Sequence, residues 1–260
     1  GGEIFAPAVR RKIGLGKCDA EIWLTVMHVA HELGMNTSAT MMFGHIEGVD
    51  DRIHHMDLVR QWQDRSLADF ASDGGGRYMA FISWPFQREN TPLGRLPDWD
   101  GSGEFPGDVV AMLDGSGEKL VDPEFGRKLR LAGASEYLRT QAISRLMIDN
   151  VYSIGASWVT MGPHVGQLAL NFGANDMGSV MMEENVVSAA GTTYCLNEQI
   201  LCHLIRDAGF TPAQRDNAYD LLAVHDTDVS PDLQVDDWSE FRQAKLHVQR
   251  EGCEEPVAVT

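Results

Sequence analysis

Asn175, Asp176, Glu183, Glu184 and Asn185 place five carboxylate or amide side chains close together beside two apolar runs. A solvated turn needs fewer. Comparable groups follow other apolar runs: Gly44, His45 and Glu47 after Thr37 to Phe43, and Trp84, Gln87 and Asn90 at the end of Tyr78 to Trp84. Thr160, His164 and Gln167 follow a third such run, Ala156 to Thr160. In parallel α/β proteins, ligands bind where strands end at their carboxyl termini. The set suits a polar, aromatic-bearing organic ligand; the competing reading is that part of it caps helix N-termini.

Other chemistries find less support. His28, His31 and Glu32 form H-x-x-H-E, which is neither usual zinc-protease order, and they read as structural or surface groups. His54 and His55 are adjacent on a helix, point different ways and read as solvent-facing. Cys195 and Cys202 are two helical turns apart and read as buried small hydrophobes. Cys18 and Cys253 give no C-x-x-C or C-x-x-x-C spacing, so no metal ligands are assigned. There is no Gly-x-Ser-x-Gly elbow. Gly74-Gly75-Gly76 and Gly101-Ser102-Gly103 do not join a strand to a helix and read as turns.

The elements that must position the polar groups alternate. Asp19 can cap a helix with apolar positions Ile22, Val26, Val29 and Leu33, ended by Gly34. The run Thr37 to Phe43 follows, then a helix from Asp50 through Ile53, Met56, Val59 and Trp62. Tyr78 to Trp84 is a second strand. Ser135 opens a helix with Leu138, Ala142 and Leu146, and strands are expected at Ala156 to Thr160 and Ala174 to Val180. Leu196, Ile200, Leu204 and Ala208 mark another helix, and Thr211-Pro212-Ala213-Gln214 reads as a capping box. Four strand–helix alternations with mostly apolar strands indicate parallel βα units. Two architectures satisfy the pattern: half of a barrel, because four strands cannot close one, or an open sheet with helices on both faces.

Gly94 to Gly133 interrupts the rhythm with Gly, Pro and acids, and reads as a long loop that is either a lid or a solvated excursion. The domain reading is a unit over 1–219 with this insertion at 94–133, then an acidic, weakly ordered tail over 220–260. A formal charge of −17 argues against nucleic-acid and anionic-membrane partners. No apolar run approaches membrane-spanning length, and the N-terminus lacks a signal-peptide layout, so a cytoplasmic location is expected.

Five blocks carry a resemblance: GMNTSATMMFGHIE from Gly34, FISWPFQRENTP from Phe81, YLRTQAISRLMIDN from Tyr137, GASWVTMGPHVGQLALNFGANDMGSVMMEENVVSAAG from Gly155, and IRDAGFTPAQRD from Ile205. They span most of residues 21 to 219 and resemble the radical S-adenosylmethionine enzymes of menaquinone biosynthesis. The resemblance implies the C-terminal half of a TIM-type (βα) barrel, strands five to eight, with a helical and acidic C-terminal extension. It also implies S-adenosylmethionine and a [4Fe–4S] cluster as cofactors, and a small-molecule substrate. The Gly155 to Gly191 block favours the cyclising branch, which acts on dehypoxanthinyl futalosine; sister branches make aminofutalosine and the deazaflavin precursor. By the same likeness, Thr40, Gly44 and Glu47 lie near the cofactor. Trp84, Gln87, Trp158, Gln167, Asn175, Asp176 and Glu183 lie on the substrate side. The catalytic residue is not assigned.

The departures are the missing CxxxCxxC loop, a Gly1-Gly2-Glu3 turn one residue short of Gly-Gly-Gly-Ala-Glu, His164 where a Lys is expected, and the long 94–133 connection. The chain is therefore expected to be a fragment, catalytically inactive alone and at best a binding or interaction module.

Overall fold

A computed structural model describes residues 1–109, 111–113, 119–120, 123–180 and 194–238. Helix α1 (Pro7–Ile13) begins on proline, whose missing N–H costs nothing in a first turn. Helix α2 (Ala20–Glu32) is capped by Asp19, whose carboxylate accepts the Ile22 N–H at 2.8 Å. Strand β1 (Thr37–Phe43), helix α3 (Val49–Phe70) and strand β2 (Tyr78–Pro85) follow. Short strands β3 (Ala111–Leu113) and β4 (Lys119–Leu120) pair antiparallel within the 94–133 connection. Next come helix α4 (Ala134–Met147), strand β5 (Ser153–Gly155), helices α5 (Trp158–Met161) and α6 (Pro163–Leu170), helix α7 (Glu198–Asp207), and the hairpin β6 (Ala213–Arg215) with β7 (Leu221–Val224).

The expected parallel αβ arrangement is present. Strands β1, β2 and β5 form a parallel sheet in that order, with Thr40 beside Ile82 and Ile82 beside Gly155. A parallel bridge from Gly155 to Asp176 extends this row. On the other edge the chain start lies along β1, where Met42 N–H donates to the Glu3 carbonyl at 3.1 Å. Among the described residues the sheet does not close. One face is packed tightly: Ala39, Met41, Phe43, Phe81, Ser83 and Ile154 are fully buried. Helix α3 contributes Met56 and Val59 to this core, and α4 contributes Tyr137.

Several local expectations change. The third strand is Ser153–Gly155, and Trp158–Met161 is helical, because Trp158 turns into the core and its indole N–H bonds the Met177 carbonyl at 2.7 Å. The fourth run pairs only through the Asp176 bridge. Ala213–Arg215 is a strand rather than a helix start, since pairing with Leu221–Val224 satisfies its backbone. The expected boundary at residue 219 falls inside this hairpin. Ile22, Val26, Val29 and Leu33 do not face the core: α2 buries Leu24 and His31 instead, and those four stay exposed. His55 is fully buried, with its ring 4.0 Å from that of Phe5. The apolar spacings were compatible with either helix face, and tertiary packing chose the one that carries the histidines.

Candidate functional site

The turn after β1 is built around Glu47. Its carboxylate is buried and accepts from Gly44 N–H at 2.6 Å, His45 N–H at 2.9 Å and Arg52 Nε at 2.8 Å. The His45 Nδ1 lies 2.8 Å from both the Glu47 carboxylate and the Ile46 nitrogen, and its Nε2 lies 3.1 Å from the Met42 carbonyl. Burial would raise the Glu47 pKa; the His45 ring, the Arg52 guanidinium and the Gly44 N–H outweigh it and hold the carboxyl at about 2. Arg52 carries the tie onward, with Nη1 2.6 Å from Glu136 of α4 and its guanidinium 4.8 Å above the Phe43 ring. Gly44 has φ +82°, and a Cβ there would stand 2.7 Å from that of Ala132, so only glycine makes this turn.

The 94–133 connection is seated on this turn. Arg130 N–H donates to the His45 carbonyl at 2.9 Å. The Arg130 guanidinium grips both Asp108 oxygens and lies 4.3 Å from the Phe105 ring centroid. Asp108 also accepts Val49 N–H at 3.2 Å, at the start of α3. A Cβ on Gly48 would approach the Gly107 carbonyl to 2.2 Å. Phe105 and Leu129 are buried. Residues 105–108 and Arg130 of the connection are thus packed against the turn that follows β1.

The second sheet face is less covered. Ser38 is exposed, and Thr40, Met42, Ile82 and Trp84 are partly exposed. Register places Thr40, Ile82, Gly155 and Asp176 in one cross-strand row, with Met42 and Trp84 in the row nearer the strand ends. Successive residues alternate faces, so these side chains share one side. Asp176 is braced there: its Oδ2 lies 2.7 Å from Arg215 Nε and 2.9 Å from Ser153 Oγ, and its Oδ1 accepts Gly178 N–H at 2.6 Å. Arg215 in turn lies 4.0 Å from the Tyr219 ring centroid.

The expected site residues therefore separate into groups. Thr40, Trp84 and Asp176 share the open face, and Gly44 and Glu47 form the adjoining turn. Gln87 bonds the Pro85 carbonyl at 3.1 Å, just past β2. Trp158 is a core residue. Gln167 faces α7, bonding the Leu204 carbonyl at 3.1 Å and Asp207 at 2.9 Å. Asn175 bonds Arg145 at 2.7 Å, Ile154 N–H at 2.8 Å and the Tyr152 carbonyl at 3.1 Å. Glu183 lies outside the described residues, as do Glu184, Asn185 and Cys253. Sequence reasoning missed Ser38, Met42 and Ile82, although strict alternation along β1 and β2 would have found them. It also missed Arg52 and Arg215, which carry no local signature because their partners are distant or on another element.

A last group lies at the chain start. Gly2 N–H donates to Thr40 Oγ1 at 3.1 Å, and a Cβ on Gly2 would stand 2.2 Å from the Thr40 carbonyl. Glu3, in the left-handed region at φ +41°, holds Lys17 at 2.6 Å through Oε1. Its buried Oε2 has no hydrogen-bond partner and lies 3.3 Å from the Gly1 ammonium nitrogen.

Residues 124–227 match the model of the CofH/MqnC C-terminal region. The chain is 36% identical over 222 residues to cyclic dehypoxanthine futalosine synthase of Halalkalibacterium halodurans, covering 85% of this chain and 49% of that protein. It is 37% identical over 226 residues to the Streptomyces coelicolor enzyme of the same name, covering 87% and 46%. Against aminodeoxyfutalosine synthase of Thermus thermophilus it is 35% identical over 228 residues, covering 87% and 51%. The chain spans about half the length of the curated relatives it matches. Residues 124–227 therefore match the CofH/MqnC C-terminal region, within a chain most of which is similar to cyclic dehypoxanthine futalosine synthase and aminodeoxyfutalosine synthase.

Proposed function

We propose that this chain is the strand-five-to-eight half of a radical S-adenosylmethionine barrel that converts dehypoxanthine futalosine to its cyclic form. The observation that carries the reading is the uncovered face of an otherwise packed parallel sheet, with Thr40, Trp84 and Asp176 in adjacent rows. It lies in a chain similar to the cyclic dehypoxanthine futalosine synthases over 85–87% of its length. A parallel sheet normally has both faces covered.

The residues present fit S-adenosylmethionine in part. The Glu3 Oε2 is buried without a hydrogen-bond partner and suits the cofactor's amino group, and Thr40 adjoins it through the Gly2 N–H. They do not fit the cluster: among the described residues, no three His, Cys, Asp or Glu side chains gather as a metal site. When bound, cofactor and cluster would supply the radical chemistry, which this chain's own residues do not. Glu3 balances the cofactor's positive amino group. Glu47 acts as a positioning residue that fixes the turn presenting Gly44. Trp84, Met42 and Ile82 form an apolar wall that excludes water, and Asp176, held by Arg215, orients substrate hydroxyls. Asn175 ties the Ile154 backbone, Trp158 packs in the core and Gln167 ties α6 to α7. On this reading, turnover needs cluster ligands that the described residues do not gather.

The near-equal identity to aminodeoxyfutalosine synthase supports a sister reaction as the second reading. The test is to supply the missing strands as an upstream segment bearing CxxxCxxC, reconstitute anaerobically and add dehypoxanthine futalosine. Cyclic product with 5′-deoxyadenosine supports the proposal. Deoxyadenosine release only with precursors of aminodeoxyfutalosine moves the chain to the sister branch.

A further inference from the structure

Helix α2 has two apolar faces, and the fold uses one. Leu24 and His31 are buried against the sheet and α3, whereas Ile22, Val26, Val29 and Leu33 are 53%, 54%, 45% and 73% exposed. At about 100° per residue the exposed four centre roughly 180° around the helix from the buried pair. They therefore point straight outward. The spacing of 4, 3 and 4 is that of a coiled-coil seam. Met35, itself 54% exposed, follows the helix end and extends the apolar surface.

We infer that this stripe pairs with the same stripe of a second copy, antiparallel, about a two-fold axis between Val26 and Val29. The spacing is palindromic, so such pairing stacks Ile22 on the partner's Leu33 and Val26 on the partner's Val29, and then repeats both. An isologous interface requires this self-complementarity. The exposures of these four residues and Met35 put at most roughly 500 Å² on each copy, so the pair buries up to about 1,000 Å², the lower limit for a specific interface. On the flank, Glu32 falls opposite the partner's Thr25, and no carboxylate lies in the seam. Each copy carries a formal charge of −17, so mutual repulsion opposes the dimer and salt relieves it.

Sedimentation equilibrium of the 260-residue chain tests this. The chain should reach twice its 28.7 kDa mass below about 200 μM, with at least threefold tighter association between roughly 0.05 and 0.5 M salt. Val26→Glu combined with Val29→Glu should weaken association at least tenfold while leaving the circular dichroism unchanged, because both residues are about half exposed. Thr25→Lys should tighten it at low salt by placing a cation opposite Glu32 twice. A monomer throughout this range, or a dimer unaffected by the double substitution, overturns the inference. In a mixture of Val26→Cys and Val29→Cys chains, a heterodimeric disulfide at these two positions fixes the antiparallel register. Like-with-like crosslinks alone would refute it.

Discussion

Replacing Glu47 by Gln removes one negative charge from the most densely bonded carboxylate of the site and leaves the side-chain shape nearly unchanged. Burial opposes the charge, but the His45 ring, Arg52 and the Gly44 N–H hold the carboxyl at about 2 rather than its ordinary 4.5. At about 1.4 kcal/mol per pKa unit, this depression corresponds to about 3 kcal/mol of folding stability at neutral pH. The folded pKa lies below the unfolded one, so the contribution is complete above about pH 5 and is lost as pH falls toward 2. Glu47→Gln should therefore destabilise the chain by about 3 kcal/mol at pH 7, because Arg52 Nε loses its charged partner and an amide N–H meets backbone donors. Urea unfolding of both proteins at pH 7, 5 and 3.5 measures the difference. It should be constant from pH 7 to 5 and about 1 kcal/mol smaller at pH 3.5. A loss under 1 kcal/mol at pH 7, or a difference that grows as the pH falls, would refute the account of this turn.

Burial, with the neighbouring His28 second, lowers the His31 pKa from 6.5 to about 4 while its ring nitrogens bond Ser66 and Thr37. The unfolded chain thus binds the extra proton between those values. Stability should rise by about 2 kcal/mol from pH 4 to 6.5, and His31→Asn should remove that part of the slope in a pH series of melts. Gly48→Ala sets a methyl against the Gly107 carbonyl and should cost about 1–3 kcal/mol, with faster hydrogen exchange at residues 44–49. Arg130→Met keeps the contact with Phe105 but loses the Asp108 fork. Because that pair is partly exposed, it should cost about 1 kcal/mol, less in high salt, and unchanged salt dependence would count against the fork. Trp158→Phe leaves the Met177 carbonyl without its donor and should lower the urea midpoint by the equivalent of about 1–2 kcal/mol.

Alternation of apolar runs with 3.6-period helices was enough to specify parallel βα units, because strands covered on one face by helices must be apolar wherever they turn inward. Both β1 and β2 were legible for that reason, as was the cap at Asp19, a purely local hydrogen bond. Long segmental similarity identified the family region, which no spacing argument could have done. Local pattern failed where a residue's partner is remote. Ile22, Val26, Val29 and Leu33 have the spacing of a core face, yet the sheet selected the opposite side of α2, where His31 meets Ser66 and Thr37. Trp158 reads as a ligand-facing aromatic, but Met177, nineteen residues away in sequence, draws it into the core. Asn175 and Asp176 are neighbours with opposite assignments, because adjacent strand residues point to opposite faces and only the register says which faces which. Composition determined the residue types available at the strand ends. Tertiary structure decided which of them remain on the open face, since strand register and the packing of α3 and α4 fix which side of the sheet is covered.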